Sequence, residues 1–258
     1  MIPRANIVEW SHHVGWSTDE QIEQDLLLSR LIVEIARDPY LGEELVFRGG
    51  TCLYKLHAHT AYRYSEDLDY VRRTGGAIGD LMHAVSDLGK RLGMDVRTQI
   101  GRHPKIYFLA PFESGNGRMR IKIEVNTFER SPARDLLRMP YSVESPWFTG
   151  TADVLTYCLA ELVSTKLRAL FQRSKGRDLF DLWVALVSLK VPATDLIECF
   201  APYRPKGYTR ARAEQNLRAK LANLTFRNDL APLVATWPEG YDIDAAAELV
   251  ISKAFSLL

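Results

Sequence analysis

Apolar positions recur along this chain with two different periods, and the change of period divides it. From Ile22, the residues Leu26, Leu27, Leu31, Ile32 and Ile35 keep the spacing of one helix face as far as Pro39. Ser17 and Glu20 just upstream have the spacing of a capping box and predict the helix start. A short apolar run, Leu45 to Phe47, leads into Gly49 and Gly50, and Thr51 is placed to cap a helix carrying Leu53 and Leu56. Asp67 to Val71 has strand character. Ile78, Leu81, Met82, Val85, Leu88 and Leu92 predict a second amphipathic helix, closed by Gly93. Three strand candidates follow at Met94–Ile100, Lys105–Ala110 and Arg118–Phe128, with Asn116-Gly117 as a hairpin turn signal. In the last of them Ile121, Ile123 and Val125 alternate with Lys122, Glu124 and Asn126, so one face is core and the other polar.

Beyond a proline-rich stretch, Pro132 to Pro146, the period changes. From Cys158 the pattern is helical almost throughout, with breaks near Pro192, Pro202–Pro205, Pro232 and Pro238. The chain therefore reads as an α+β half, residues 1–150, followed by a helical half, residues 151–258. No internal repeat or low-complexity segment interrupts it.

The 258 residues suffice for one large domain or two modest ones, each with a core. A net charge of +1 means that attraction to nucleic acid must come from local clusters rather than from the whole molecule. Cys52, Cys158 and Cys199 are odd in number and far apart, which argues against a disulfide framework and for a reducing compartment. The leading MIPRANIVEWSHH has no apolar signal core, and no run reaches the roughly 18 apolar residues of a membrane span. A cytoplasmic protein with no membrane partner is the expectation. The six histidines form no metal-ligand spacing, and His57 and His59 do not share a helix face, so both read as surface or local hydrogen-bonding residues.

Five segments carry candidate chemistry, each with a plain structural alternative. Gly49-Gly50-Thr51 lets backbone N–H groups approach phosphates closely, or is an ordinary turn. Asp67 and Asp69, at i and i+2 of a strand, share a face. Two such carboxylates repel unless a cation compensates, and Mg²⁺ takes one or two carboxylates plus substrate phosphates. The alternative is a solvent-facing strand with incidental acids. Glu124, on the polar face of the strand around Ile123, is placed to complete a metal triad or to deprotonate an attacking hydroxyl; equally, Lys122 is its ion-pair partner. The segment Glu161–Trp183 carries Lys166, Arg168, Arg173, Lys175 and Arg177, followed by Asp178 and Asp181 on one helix face. Such a segment clamps a triphosphate, or is a surface helix with salt bridges. Residues 204–220 hold six basic side chains against Glu214, with Tyr203 and Tyr208 interleaved, which suits an RNA backbone and unstacked bases or a solvated helix face.

Taken together, FRGGTCL, YRYSEDLDY, IKIEV and ELVSTKLRALFQRSKGRDLFDLW resemble, in order and spacing, the AbiEii/AbiGii family of nucleotidyltransferase toxins, the family that includes the MenT toxins. NLRAKLANLTFRNDLAPL, from Asn216, is similar to the family's C-terminal region. The turn ends in Thr51, where transferases at large often carry serine, and 16 residues separate Gly50 from Asp67, a spacing that suits the toxins. The resemblance implies a polymerase-β-like minimal nucleotidyltransferase core, a mixed sheet with flanking helices, and a helical second half that completes the NTP site. It implies NTP use with Mg²⁺ and a cognate antitoxin. It implies Gly49, Gly50 and Thr51 as the phosphate-holding turn, and Ser65, Asp67 and Asp69 as the metal-binding motif. Lys166 and Asp178 or Asp181 match positions tied to NTP binding and activity.

The expected activity is transfer of NMP from an NTP to an RNA acceptor, foremost a tRNA 3′ end, blocking translation. The basic segments near 166–177 and 204–220 are the expected tRNA surface. Asp67, Asp69, Glu124, Lys166, Asp178 and Asp181 are the candidate catalytic set, with Asp67, Asp69 and Glu124 as metal ligands. Gly49, Gly50, Thr51, Ser65, Lys166 and Arg173 are the candidate NTP contacts. Transfer to a protein hydroxyl, or a nucleotide- or antitoxin-binding module without turnover, are the competing readings.

Overall fold

A computed structural model describes residues 2–58, 60 and 62–258, so His59 lies outside the described residues. The chain divides into two compact units, residues 1–130 with 136–156, and residues 131–135 with 157–258.

The first unit holds helices α1 (Arg4–Trp10), α2 (Asp19–Arg37), α3 (Leu41–Glu44), α4 (Gly49–Cys52) and α5 (Gly79–Arg91). Its strands are β1 (Leu45–Arg48), β2 (Asp67–Arg72), β3 (Asp95–Gln99), β4 (Lys105–Pro111), β5 (Arg118–Asn126), β6 (Leu137–Glu144) and β7 (Thr149–Thr156). They form one mixed sheet in the order β3-β4-β5-β2-β1-β7-β6, so the unit is α+β. The central strand β2 runs antiparallel to β1 and parallel to β5. The alternation read in the sequence decides the layering. Leu68, Tyr70, Ile121, Ile123 and Val125 are buried, while Asp67, Asp69, Lys122 and Glu124 lie on the other face of the same two strands.

Several local expectations shift. The α2 cap is Thr18, not Ser17: its side chain accepts from Gln21 N–H at 3.2 Å, and the Gln21 side chain reaches back to the Ser17 N–H. The box thus lies one residue further on, because Thr18–Gln21 repeats the Ser17–Glu20 spacing. Thr51 does not cap its helix. It sits inside α4, which continues as a wider π-turn over Leu53–His57. Asn116-Gly117 closes a six-residue loop rather than a two-residue hairpin, since β4 pairs with β5 from Pro111 and Arg118 inward. Gly93 does end α5, at φ +77, with Gly93 N–H bonded to Lys90 O and Met94 N–H to Gly89 O.

Strands β6 and β7 escape the period reading because β6 carries Pro140 and lies within the proline-rich stretch. As the outermost strand it pairs with β7 alone, and an edge tolerates a residue with no N–H. His57 is not a surface residue: its Nε2 is buried without a hydrogen bond among the described residues, and burial lowers its pKa to about 4.

The second unit is helical: α6 (Leu159–Gln172), α7 (Gly176–Trp183), α8 (Ala193–Phe200), α9 (Arg210–Leu221), α10 (Leu224–Arg227) and α11 (Ile243–Lys253). Its core includes Tyr208, whose ring centroid lies 4.8 Å from that of Phe171 and 5.0 Å from that of Phe200. The segment 131–135 joins this unit because the buried Glu161 carboxylate accepts from the Ala133 and Arg134 N–H groups and from the Tyr203 hydroxyl. Among the described residues no helix is long and apolar enough to cross a membrane.

Helix α5 packs so closely on β4 that a Cβ on Gly89 would overlap the buried Phe108 ring. Gly89→Ala gains about 1 kcal/mol of helix propensity but overpacks a rigid aromatic at about 1–3 kcal/mol. The expected outcome is a lower urea midpoint at unchanged m-value, measured by circular dichroism.

Candidate active site

The site grows from three adjacent strands. Register pairs Arg48 of β1 with Asp69 of β2, Asp69 with Glu124 of β5, and Asp67 with Lys122. The chain leaves β1 through Gly49, at φ +87, a left-handed conformation that favours glycine. A Cβ there would stand 2.5 Å from Asp69 Oδ2, so the bare turn lies directly on that carboxylate. A Cβ on Gly50 would run into the Arg63 guanidinium and come within 3.2 Å of Ser65 Oγ. Thr51 locks the turn to β2. Its hydroxyl is 2.9 Å from Ser65 Oγ and 2.5 Å from the Asp67 carbonyl. Gly49, Gly50, Thr51, Ser65, Asp67 and Asp69 are therefore brought together, although 16 residues separate Gly50 from Asp67 in sequence.

Electrostatics at this site are a balance of half-buried charges. Burial pushes the Asp67 carboxyl above its ordinary range, with Lys122 opposing, and does the same to Asp69, with Arg48 opposing. Lys122 Nζ stands 3.0 Å from Asp67 Oδ2 and 3.2 Å from Glu124 Oε2. Burial works against its charge, but Asp67, Asp69 and Glu124 drive its pKa to about 12. Lys105 also approaches Glu124, at 3.7 Å. Lys122 is thus both the ion-pair partner foreseen for Glu124 and a fixed cation among the carboxylates.

Among the described residues no three His, Cys, Asp or Glu side chains converge as a metal cluster. The donor set nonetheless suits a hard divalent ion. Asp67 and Asp69 are oxygen donors held against their own ionisation by burial, and Mg²⁺ asks for one or two carboxylates, the rest being water and phosphate. Sequence reasoning missed Arg48 and His103. With Asp69, Glu124 and Asn126 they line a small cavity of about 40 Å³. Arg48 also holds Glu129 at 2.7 Å. Arg48 stands inside FRGGTCL without a role of its own and no motif marks His103; the sheet register and the 100–104 loop bring them in.

In the second unit the basic segment is folded inward. Lys166 Nζ sits 2.7 Å from Asp181 and 3.8 Å from Asp178. Arg173 makes a two-pronged contact with Asp178 at 2.6 and 2.7 Å. Both aspartates are fully buried, so Lys166, Arg173, Asp178 and Asp181 form one ionic cluster, and a phosphate at Lys166 would compete with Asp181. Lys175 and Arg177 pair with Asp229. In the segment 204–220, Arg210 pairs with Glu214, Arg218 with Glu248, and Lys220 caps the carbonyls of Leu170 and Phe171. Tyr203 and Tyr208 are buried, so neither ring offers the base-stacking platform that their interleaving suggested.

A family model described as nucleotidyl transferase AbiEii toxin, type IV toxin–antitoxin system, matches residues 30–249. Among solved structures, JHP933 from Helicobacter pylori aligns with a TM-score of 0.55 at 15% identity, covering 93% of this chain and 91% of that one. MenT4, a nucleotidyltransferase toxin of Mycobacterium tuberculosis H37Rv, aligns at 0.54 and 18% identity, covering 97% and 99%. At such identities the likeness concerns the fold. A comparison with curated proteins returned no significant match.

Because burial raises the Asp69 pKa above its ordinary 3.8, ionised Asp69 costs folding stability at neutral pH. That cost disappears as pH falls through the folded value and below the unfolded one. Asp69→Asn is therefore expected to melt higher than the parent at pH 7, with the difference vanishing below about pH 4, as followed by calorimetry in the absence of divalent ions.

Proposed function

The chain belongs to the AbiEii family of nucleotidyl transferase toxins, and we propose that it transfers a nucleoside monophosphate from an NTP to the 3′ end of a tRNA. The family makes it a transferase toxin with an NTP substrate and a cognate antitoxin. The observation that carries the rest is the contact of the Gly49 backbone with Asp69, beside Asp67 and opposite Glu124. A bare glycine turn beside paired carboxylates supports a reading in which the turn faces phosphates and the acids face a cation.

Asp67 and Asp69 would hold Mg²⁺, which when bound supplies positive charge to the phosphate oxygens. Gly49, Gly50 and Thr51 would hold the triphosphate through the backbone and the α4 start. Ser65 fixes Thr51. Glu124 would accept the proton of the attacking hydroxyl as the new P–O bond forms and pyrophosphate leaves. Lys122 Nζ, 3.2 Å away, is the fixed positive charge beside that carboxylate. Positioning and charge stabilisation supply most of the acceleration, as in phosphoryl transfer generally. Lys166, Arg173, Asp178 and Asp181 are assigned to the same activity on the resemblance of their segment. Exposed Arg173, Lys175, Arg210 and Arg218 support a contact with the RNA backbone, whose affinity would fall steeply with salt.

A second acceptor has its own support. With Tyr203 and Tyr208 buried and most of the nearby arginines paired, a protein hydroxyl is the rival to RNA.

Incubation with each of four α-labelled NTPs and Mg²⁺, with and without total tRNA, separates the readings. Label in RNA is the expected result. Label in protein favours the second acceptor, and binding without label means a module that does not turn over. Asp67→Ala should reduce transfer below detection and relieve growth arrest while keeping a cooperative melt; full activity in that variant would sink the assignment of Asp67.

A further inference from the structure

Beside the glycine turn, on the side of Gly50 rather than Gly49, the first unit contains a half-open pocket of about 180 Å³ whose aromatic walls the reaction above does not use. Its walls include Trp10, Trp16, Tyr54 and Tyr141, and its polar groups include Lys55 and Arg63. Both cations are seated on rings, Lys55 Nζ 5.9 Å from the Trp10 centroid and the Arg63 guanidinium 5.1 Å from that of Tyr54. Lys55 is anchored on buried Asp25 at 2.7 Å and on Ser29 at 2.9 Å, and Asp25 also accepts from Trp10 Nε1. The pocket is thus a rigid, polar-edged aromatic chamber. Trp16 Nε1 is buried with no hydrogen-bond partner among the described residues, and a buried donor left without an acceptor is costly.

The chamber adjoins the glycine turn of the candidate active site. Thr51 and Ser65 line it, and Thr51 is hydrogen-bonded to the Asp67 carbonyl. The two glycines bridge the halves, Gly49 bare against Asp69 and Gly50 bare against Arg63 and Ser65.

We propose that this pocket is a nucleobase subsite, in which a planar heteroaromatic ring stacks on the tryptophan and tyrosine side chains. Aromatic faces with cationic rims are the usual platform for an unstacked base. The proposal rests on the nucleotidyltransferase reading. A base can come from two sources, the NTP itself or the terminal nucleotide of an RNA acceptor.

The test uses the full chain, Trp16→Ala, and Trp16→Phe, which retains a ring but removes the N–H. NTPs, inorganic tripolyphosphate, phosphate-free nucleosides and a short single-stranded RNA ending in CCA are each titrated, by calorimetry or saturation-transfer NMR. A loss of NTP affinity of about tenfold or more in Trp16→Ala, with tripolyphosphate binding unchanged, places the base of the NTP in the pocket. The same loss confined to the RNA places the acceptor's base there. Trp16→Phe should lose less than Trp16→Ala, which also covers the case in which the alanine variant fails to fold. If the parent binds no NTP or tripolyphosphate, the transferase reading fails, and saturation transfer to nucleosides that vanishes in the variants still upholds the pocket. Binding of every base-containing probe equally by parent and both folded variants overturns it, as does the absence of any nucleobase binding.

Discussion

The contact on which the site depends is that between the backbone of Gly49 and the carboxylate of Asp69. There is no room for a side chain at Gly49, and the turn's positive φ favours none. This permits the β1 exit to lie on β2's acidic face instead of passing above it. Once that is set, the register does the remainder: Arg48 opposite Asp69, Glu124 on the other side, and Lys122 opposite Asp67. Thr51 fastens the turn to β2 by the Asp67 carbonyl, so the glycine turn and the acidic strand hold one geometry.

The acidic face is expensive to build. Burial works against the ionised form of both aspartates, and Lys122 and Arg48 offset part of it. A protein selected for stability alone would replace these acids, since neutral packing is commonly as good as a buried ion pair. Keeping them fits the proposed role of holding a cation and a polyphosphate. The second unit shows the contrast: Lys166, Arg173, Asp178 and Asp181 satisfy one another within hydrogen-bonding distance, so that charge there is already compensated.

Much of this was legible in the residues. The alternation of Ile121, Ile123 and Val125 with polar neighbours placed Glu124 on the right face, and Asp67 with Asp69 followed from period two. The helical character after Cys158 was equally plain. Strands β6 and β7 were not, since Pro140 hides an edge strand whose stability comes from one partner. Tyr203 and Tyr208 misled for a related reason: amphipathic aromatics among arginines look alike whether they face water or pack in a core, and only packing on Phe171, Phe200 and Glu161 distinguishes the two.

By itself the sequence determined the period of each element, the faces on which the acids lie and, by the order of its motifs, the family. These are local properties, set by side-chain alternation and by what glycine permits. The tertiary structure alone decided that Gly49 touches Asp69, that Lys122 stands between Asp67 and Glu124, that Arg48 and His103 join them, and that an aromatic chamber opens behind Gly50. Those facts depend on strand register and on loops closing across tens of residues, and no local periodicity encodes which distant side chain fills a given space.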